Sequence, residues 1–272
     1  MECKVIKKEL KNDKNIFNYT IFSIFALQFI PTRKKMSNDY FKFKQFVVHH
    51  DRCAMKVGTD GVLLGAWAPG GKNILDIGTG TGLIAMMMAQ RFGDSVIDAI
   101  EIDNDAAQQA RENIEGSCFR ERINIFHSSL QSFSDDFPSS CKHYDCIVSN
   151  PPFYTEDTMC PESKRQAARH TISLTYADLF KHAAAMLKKG GTFSIIVPCE
   201  AKEKIMFEAC LKALYVKNIC YVRTTPRKQP KRMLITFSNV SDGNNINEEC
   251  CMMNPDGSRS DWYIALTDEF YL

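Results

Sequence analysis

A loop with three glycines at alternate positions carries the clearest chemical signal in the sequence. Its residues, Asp76-Ile-Gly-Thr-Gly-Thr-Gly82, end a short apolar run. Glycine lets the backbone turn sharply and approach a ligand closely. The spacing differs from the G-x-G-x-x-G pattern of dinucleotide-binding loops, and the Asp76 carboxylate suits a cationic ligand, such as an aminoacyl sulfonium, better than a pyrophosphate. We therefore expect Asp76, Gly78, Gly80 and Gly82 to bind a positively charged cofactor.

An acidic residue follows the glycine loop at the separation typical of a ribose contact. Glu101 ends the next apolar run, about 20 residues beyond the loop, where a carboxylate can accept hydrogen bonds from ribose hydroxyls. Two other interpretations stay open at this point. The glycines could form a turn that binds nothing, or the loop could hold a nicotinamide cofactor.

A second chemical signal is the stiff loop Ser149-Asn-Pro-Pro-Phe-Tyr154. Two consecutive prolines fix the backbone and remove two N–H donors, and a residue before proline favours an extended conformation. The Asn150 side-chain oxygen and the Pro151 carbonyl can each accept one hydrogen bond from an amine, while Phe153 can stack on a flat ring. We predict that Asn150, Pro151, Pro152 and Phe153 form a catalytic loop, although the motif by itself also suits a rigid turn.

Short apolar runs alternate with helical patterns from residue 73 onward, and these elements must position both loops. The alternation indicates a doubly wound, mostly parallel α/β sheet with helices on both faces. Ligands bind such sheets beyond the carboxyl ends of the strands, where both loops are placed. Gly190-Gly191 is expected to end a helix. Strands are predicted at 73–77, 95–102, 123–127, 144–149, 193–197, 216–222, 232–237 and 262–266, helices at 83–90, 105–114, 175–187 and 202–214, and a loop at 238–249.

The composition is that of an ordinary globular protein. The chain has 272 residues, of which 44% are hydrophobic and 24% charged, with a net charge of +2. So small a net charge implies no general affinity for polyanions, and nucleic-acid binding would need a local basic patch. The 11 cysteines are odd in number, which favours a reduced, cytoplasmic protein over a disulfide framework. No metal site is expected, because Cys250 and Cys251 lack further ligands.

The first 35 residues differ in character from the remainder. They are rich in lysine and asparagine and contain an apolar run at 19–30. That run is too short to span a membrane, no other segment could do so, and no small-residue cleavage site follows it. We interpret residues 1–35 as an extension upstream of a natural start at Met36. An accessory amphipathic segment is the second interpretation, and a secretion signal is the least favoured.

The glycine loop together with Glu101 resembles the S-adenosylmethionine site of class I methyltransferases. The segments Phe41-Lys-Phe-Lys-Gln-Phe46, His50-Asp-Arg-Cys-Ala-Met-Lys-Val-Gly-Thr-Asp-Gly61 and Gly65-Ala-Trp-Ala68 are similar to the start of the bacterial tRNA1(Val) (adenine-37-N6)-methyltransferase family. The resemblance continues through 150–154, 165–170 and 266–272. It implies a single methyltransferase domain at 36–272, with a seven-stranded sheet whose last strand is antiparallel.

The resemblance also implies an activity and residue roles. The family transfers a methyl group from S-adenosylmethionine to the N6 amine of an adenine beside a tRNA anticodon. By this likeness, backbone atoms of Gly78 and Gly80 contact the amino acid half of the cofactor, and Glu101 binds its ribose. Many class I enzymes carry an aspartate beside the cofactor's adenine. Here the stretch is His127-Ser-Ser-Leu130, so Ser128 or Ser129 takes that position.

Candidate tRNA contacts lie before and after the catalytic loop. Lys56 and Thr59 are expected at the mouth of the site, although Thr59 or Asp60 could simply cap a helix. Basic residues after the catalytic loop and in a second, proline-containing loop suit phosphate contacts, and a solvated charged surface is the alternative. No obligate protein partner is apparent. The predicted substrate-binding residues are Lys56, Thr59, Tyr154, Arg165, Arg169, Arg227 and Lys231.

Similar Asn-Pro-Pro loops act on other acceptors, namely guanine N2 in ribosomal RNA, adenine in DNA and a glutamine of release factors. Only about 40 residues separate Met36 from Asp76. The helical domain of release-factor enzymes and the duplicated domain of many ribosomal RNA enzymes are therefore missing, whereas DNA adenine is harder to exclude. A non-catalytic RNA-binding protein with this fold is a further alternative, against which the intact loop at 150–153 argues.

Overall fold

An eight-stranded sheet forms the centre of the fold. The computed structural model describes residues 38–53, 55–136, 143–152, 174–241, 243 and 245–272. Within these residues, Asp39–Leu272 forms one compact unit. The strands are β1 (Tyr40–Lys42), β2 (Val47–His49), β3 (Asn73–Ile77), β4 (Val96–Glu101), β5 (Ile123–His127), β6 (Tyr144–Ser149), β7 (Leu187–Pro198), β8 (Tyr215–Arg223), β9 (Arg232–Ser238) and β10 (Ile246–Cys251).

The strand order is β10-β8-β9-β7-β6-β3-β4-β5. β9 runs antiparallel to both of its neighbours, while the other adjacent strands pair in parallel. The predicted doubly wound, mostly parallel α/β fold is therefore confirmed, and the seventh strand of the sheet in chain order is the antiparallel one. β10 is an eighth strand beyond the seven expected. β1 and β2 form a separate antiparallel pair.

Helices cover both faces of the sheet, because alternate strand residues point to opposite sides. Ile74 packs in one hydrophobic cluster, together with helical residues from 62–66 and 83–89. Its neighbour Leu75 packs in a second cluster, together with helical residues from 179–186 and 205–209. The helices are α1 (Thr59–Trp67), α2 (Leu83–Arg91), α3 (Asn104–Glu115), α4 (Leu130–Asp135), α5 (Tyr176–Met186), α6 (Lys202–Leu211) and α7 (Asp261–Thr267).

Three local predictions were wrong. The segment expected to be a loop at 238–249 contains the start of β10. Residues 262–266 were predicted as a strand but lie in α7. Ser260 caps the first turn of this helix, because the Ser260 side chain accepts a hydrogen bond from the Tyr263 N–H. The pair Gly190-Gly191 was expected to end a helix, but α5 stops earlier, at Met186. The two glycines lie within β7, at a bulge where the pairing with β6 shifts register.

Among the described residues, no helix has the length and apolar character that crossing a membrane requires. The apolar surface of the helices is instead used in packing on the sheet. α1 shows this directly, because its residues 61–66 are all buried.

One arginine closes the end of α2. The Arg122 guanidinium donates hydrogen bonds to the carbonyls of Ala89, Phe92 and Ser95 at 2.7, 3.0 and 3.3 Å. These carbonyls lie at the carboxyl end of α2 and just beyond it, where backbone acceptors lack helical partners. Arg122 therefore adds charge-assisted hydrogen bonds at the helix end, where the Phe92 carbonyl also accepts from Ser95.

We expect Arg122→Ala to lower the free energy of unfolding by about 2 kcal/mol, since several charge-assisted hydrogen bonds are lost. Urea denaturation followed by circular dichroism measures this. Arg120→Ala is the matched control, because Arg120 belongs to the same short turn but forms only an exposed ion pair with Glu121. Equal losses in both variants would contradict the assigned role.

Candidate active site

The pairing of β3 with β6 brings the two predicted loops together. Ile77 is aligned with Ser149, so the next residues along the chain, Gly78 and Asn150, lie at adjacent strand ends. The buried Ser149 hydroxyl donates a hydrogen bond to the Ile77 carbonyl at 2.8 Å. The glycine loop and the Asn-Pro-Pro loop therefore begin side by side at the carboxyl edge of the sheet.

Gly78 and Gly80 give the loop a shape that other residues would strain. Their φ angles are +72° and +57°, in the left-handed region. A Cβ on either residue would meet nothing within 4 Å, so the space beside the loop is open. The Gly78 N–H donates to the Ile100 carbonyl at 2.9 Å. The loop is thus fixed from the β4 side and open on the other.

Gly82, which was predicted to bind the cofactor, occupies a different environment. It precedes α2 with a φ of +83°, and a Cβ there would lie 3.3 Å from Ile114 Cδ1. It is not among the residues that line the cavity described below. Its position instead allows α2 and α3 to approach each other closely.

Asp76 is fully buried beneath the glycine loop. The Thr79 hydroxyl donates a hydrogen bond to its Oδ2 at 2.6 Å. Burial raises the pKa of Asp76 to about 7, while the Thr79 hydrogen bond acts in the opposite direction. Asp76 does not line the cavity, although Gly78 and Thr79 do. Its carboxyl group therefore supports the loop from below.

Glu101 holds the glycine loop in place through its side chain. Oε2 accepts a hydrogen bond from the Gly80 N–H at 2.9 Å, and Oε1 accepts from Ile102 and Asp103 at 2.8 and 2.9 Å. A carboxylate offers about four acceptor positions. One position on Oε2 therefore remains for a ligand hydroxyl while the loop stays tied to β4.

A cavity of about 300 Å³ joins the two loops. This volume lies at the lower end of the range typical of small-molecule sites. Lys56 and Thr59, predicted from the sequence, lie in its lining together with the glycine loop and Asn150. Among the described residues, the lining comprises Met55, Lys56, Val57, Gly58, Thr59, Asp60, Gly61, Gly78, Thr79, Gly80, Thr81, Leu83, Ile84 and Asn150.

Asn150 lines this cavity and carries a buried acceptor. Its Oδ1 has no hydrogen-bond partner within the described part of the chain. A buried polar atom without a partner is costly, so such an atom at a cavity wall marks a position where a ligand donor is expected. Pro151 is buried and Pro152 is exposed. Phe153, Tyr154, Arg165 and Arg169 lie outside the described residues.

Two local details differ from the sequence-based interpretation. Gly58 is the N-cap of α1 and makes no side-chain cap, so the prediction of Thr59 or Asp60 as N-cap was wrong. Asp60 instead accepts a hydrogen bond from Arg232 Nε at 2.8 Å. Ser129, predicted beside the cofactor's adenine, caps α4 by accepting a hydrogen bond from the Ser132 N–H at 3.0 Å.

The basic loop between β8 and β9 lies at the same edge of the sheet as the cavity. Arg227 and Lys231 are exposed within it. Arg232, the first residue of β9, is aligned with Pro198 at the carboxyl end of β7. Since Arg232 also contacts Asp60 in the cavity lining, the loop ends close to the cavity.

Asn113 is a site residue that the sequence analysis missed. It is 4% exposed and lies on α3. Its amide exchanges two hydrogen bonds with the His49 backbone and donates a third to the Thr81 carbonyl, all at 2.9 Å. It therefore joins the segment before the cavity lining to the end of the glycine loop. An asparagine on the apolar side of a helix is the sequence signal for such a role.

We expect Asn113→Ala to loosen the attachment of residues 47–53 to α3, although Asp51 and Arg52 keep their contacts with Gln109, and to accelerate the amide exchange of this segment. Hydrogen exchange detected by mass spectrometry measures this peptide by peptide. Asn104→Ala, which removes an exposed asparagine at the start of the same helix, is the control. Unchanged exchange of 47–53 in Asn113→Ala would contradict the anchoring role.

Comparison with solved structures supports the fold. A predicted O-methyltransferase from Agrobacterium tumefaciens superposes with a TM-score of 0.62 at 18% identity, covering 78% of this chain and 96% of that one. TYW2 of Pyrococcus horikoshii, solved in complex with MeSAdo, gives a TM-score of 0.52 at 14% identity, with 75% and 73% coverage. At such identities the likeness concerns the fold alone.

Sequence comparison identifies the family. The model of the methyltransferase small domain matches residues 57–219. A tRNA1(Val) (adenine(37)-N6)-methyltransferase of Bacteroides fragilis is 46% identical over 240 residues, which are 87% of this chain and 99% of the relative. Those of Bacteroides thetaiotaomicron and Klebsiella pneumoniae are 48% and 40% identical, over 87% and 85% of this chain and 99% and 94% of the relatives. The chain therefore belongs to the tRNA1(Val) (adenine(37)-N6)-methyltransferase family.

Proposed function

We propose that this protein transfers a methyl group from S-adenosylmethionine to the N6 amine of an adenine in tRNA, at position 37 beside the anticodon of tRNA1(Val). The observation that carries the proposal is the position of Asn150, which lines the cavity together with the glycine loop and whose buried Oδ1 has no hydrogen-bond partner among the described residues. Family membership supports the acceptor. The domain that performs the reaction is 36–272, of which Asp39–Leu272 is one compact unit.

The residues around the glycine loop fit the cofactor. Open space beside Gly78 and Gly80 admits the amino acid half against the backbone, and the remaining acceptor position of Glu101 suits a ribose hydroxyl. The buried Asp76 places a carboxyl group beneath the loop, near a cation bound there. Ser129 remains the proposed neighbour of the cofactor's adenine, in addition to capping α4. S-adenosylmethionine, when bound, supplies a methyl group activated by a positively charged sulfur.

The catalytic loop acts by positioning the amine. Asn150 Oδ1 and the Pro151 carbonyl each accept one N–H of the adenine amine, and Phe153 stacks on the ring. Holding both hydrogens directs the nitrogen lone pair toward the incoming methyl group. The rate then comes from orientation and fixed dipoles, and no strong base is required, because the nitrogen loses its proton as the cationic product forms.

Basic residues around the cavity bind the tRNA backbone. Arg227 and Lys231 supply phosphate contacts from the loop between β8 and β9. Lys56 and Thr59 contact the tRNA at the mouth of the cavity. Arg165, Arg169 and Tyr154, which follow the catalytic prolines in the sequence, supply further contacts. An anticodon-loop base is partly unpaired, so turning it into the cavity costs less than extracting it from a duplex. A compact enzyme can therefore reach its target without a separate RNA-binding domain.

Methyl transfer from labelled S-adenosylmethionine to unmodified total tRNA, followed by nucleoside analysis, tests the reaction. We expect label in N6-methyladenosine from the wild-type protein. Asn150→Ala is expected to lower kcat by about 10²–10³-fold while cofactor binding persists, and Asn104→Ala serves as the control. Label in another nucleoside would overturn the acceptor, and full turnover by Asn150→Ala would overturn the role of Asn150.

Cofactor affinity is expected to depend on pH through Asp76. Its pKa of about 7 in the ligand-free protein means that half of the molecules are neutral there at neutral pH. A cationic ligand favours the carboxylate, so binding releases a proton and the affinity rises as the pH increases from about 6 to about 8. Calorimetric titration with S-adenosylmethionine at several pH values measures the slope. The same slope in Asp76→Asn would contradict the assignment.

We expect Arg227→Ala combined with Lys231→Ala to raise the KM for tRNA several-fold and to weaken its dependence on salt, because two phosphate contacts are lost. The kcat should change little, since neither residue lines the cavity. Lys189→Ala is the control, because this exposed lysine lies near the amino end of β7, at the opposite edge of the sheet. An unaltered KM and salt dependence in the double variant would contradict tRNA binding by the loop.

A further inference from the structure

Three potential metal ligands converge on the edge of the sheet. Sγ of Cys220, Sγ of Cys250 and a carboxylate oxygen of Glu248 all lie within 4.8 Å of one another. The register explains why: Cys220 of β8 is aligned with Glu248 of β10, and Cys250 is aligned with Val222, two residues further along. Side chains two residues apart share a face of the sheet, so the three groups point to the same side.

The surroundings of the cluster suit a metal ion that enters from solvent. Cys220 is fully buried, Cys250 is 9% exposed, and Glu248 is exposed. The two thiols are therefore shielded by the hydrophobic cluster to which both belong, while the carboxylate lies at the open side.

A disulfide between the two cysteines does not explain their proximity. Both thiols are free. The register offsets the two residues by two positions along adjacent parallel strands. A strand spacing of about 4.8 Å and a two-residue rise of about 6.6 Å place their Cα atoms about 8 Å apart. A disulfide usually requires a Cα separation of about 4.4–6.8 Å. A metal ion can bridge the longer span, because each sulfur lies about 2.3 Å from the ion.

We propose that Cys220, Glu248 and Cys250 bind a zinc ion, with water as the fourth ligand. Two thiolates and one carboxylate match the ligand preference of Zn²⁺, and the two thiol protons pass to solvent when the metal binds. This site is structural and goes beyond the proposed methyl transfer.

The function of such an ion is to hold β10 on the sheet. β10 is an edge strand whose first four residues, 246–249, are all exposed, and Asn and Glu are unfavourable in strands. The ion pair between Arg223 and Glu249 also joins β8 to β10, but exposed pairs stabilise weakly. Metal binding to both strands adds a cross-link that the side-chain packing of β10 does not supply.

Titration of the metal-free, reduced protein with Co²⁺ tests the proposal. We expect one equivalent to produce thiolate-to-cobalt charge-transfer absorption, which added Zn²⁺ abolishes by displacement. Cys220→Ser and Cys250→Ser should lose the absorption. Cys251→Ser is the matched control, because Cys251 is adjacent on the same strand and points to the opposite face, and it should retain the absorption.

A second variant and a second readout guard against misfolding of the cysteine variants. Glu248 is exposed, so Glu248→Gln leaves the core intact, and we expect it to weaken Co²⁺ binding by about tenfold or more. Zn²⁺ should also raise the Tm of the wild-type protein but not that of Cys220→Ser. Absence of charge-transfer absorption in the wild type, its loss only in Cys251→Ser, or a Cys220–Cys250 disulfide in the air-exposed protein would each overturn the proposal.

Discussion

The alignment of β3 with β6 is the constraint on which the site depends. The buried Ser149 hydroxyl donates a hydrogen bond to the Ile77 carbonyl, and this contact accompanies the pairing that places Gly78 beside Asn150. A shift of one residue in this register would turn the side chains of β6 to the opposite face. The glycine loop and the amide acceptor would then no longer open into one cavity. The core on both faces of the sheet maintains the register that the chemistry needs.

Two acidic side chains help to hold the glycine loop in place. Glu101 ties Gly80 to β4 through Oε2, and Asp76 binds Thr79 from below. This arrangement gives the carboxyl groups a structural role and leaves the loop surface facing the cavity. Two carboxyl groups near one loop also create a local preference for a cation. The same residues that shape the loop thus contribute to the charge selectivity expected of the site.

The sequence predicts the parts of the molecule that depend on local patterns. The strands from β3 to β9, most of the helices between them, the glycine loop and Asn150 follow from patterns within a few residues, while Lys56 was identified in a segment that resembles the family. β10 was missed because its polar composition does not suit a strand, and pairing with β8 determines its conformation. α7 was mistaken for a strand because the short apolar run 262–266 carries no clear period. Asn113 was missed because its partners lie about 30 and 60 residues away in sequence.

A crystal structure of the protein with bound S-adenosylhomocysteine tests the central claim most directly. We expect the amino acid half of the ligand to lie along Gly78 and Gly80, with its sulfur facing Asn150 across the shared cavity. Glu101 should keep its hydrogen bond to Gly80 while accepting one from the ribose. A ligand bound elsewhere, or one whose sulfur faces away from Asn150, would contradict the claim that one cavity unites the cofactor loop with the catalytic amide.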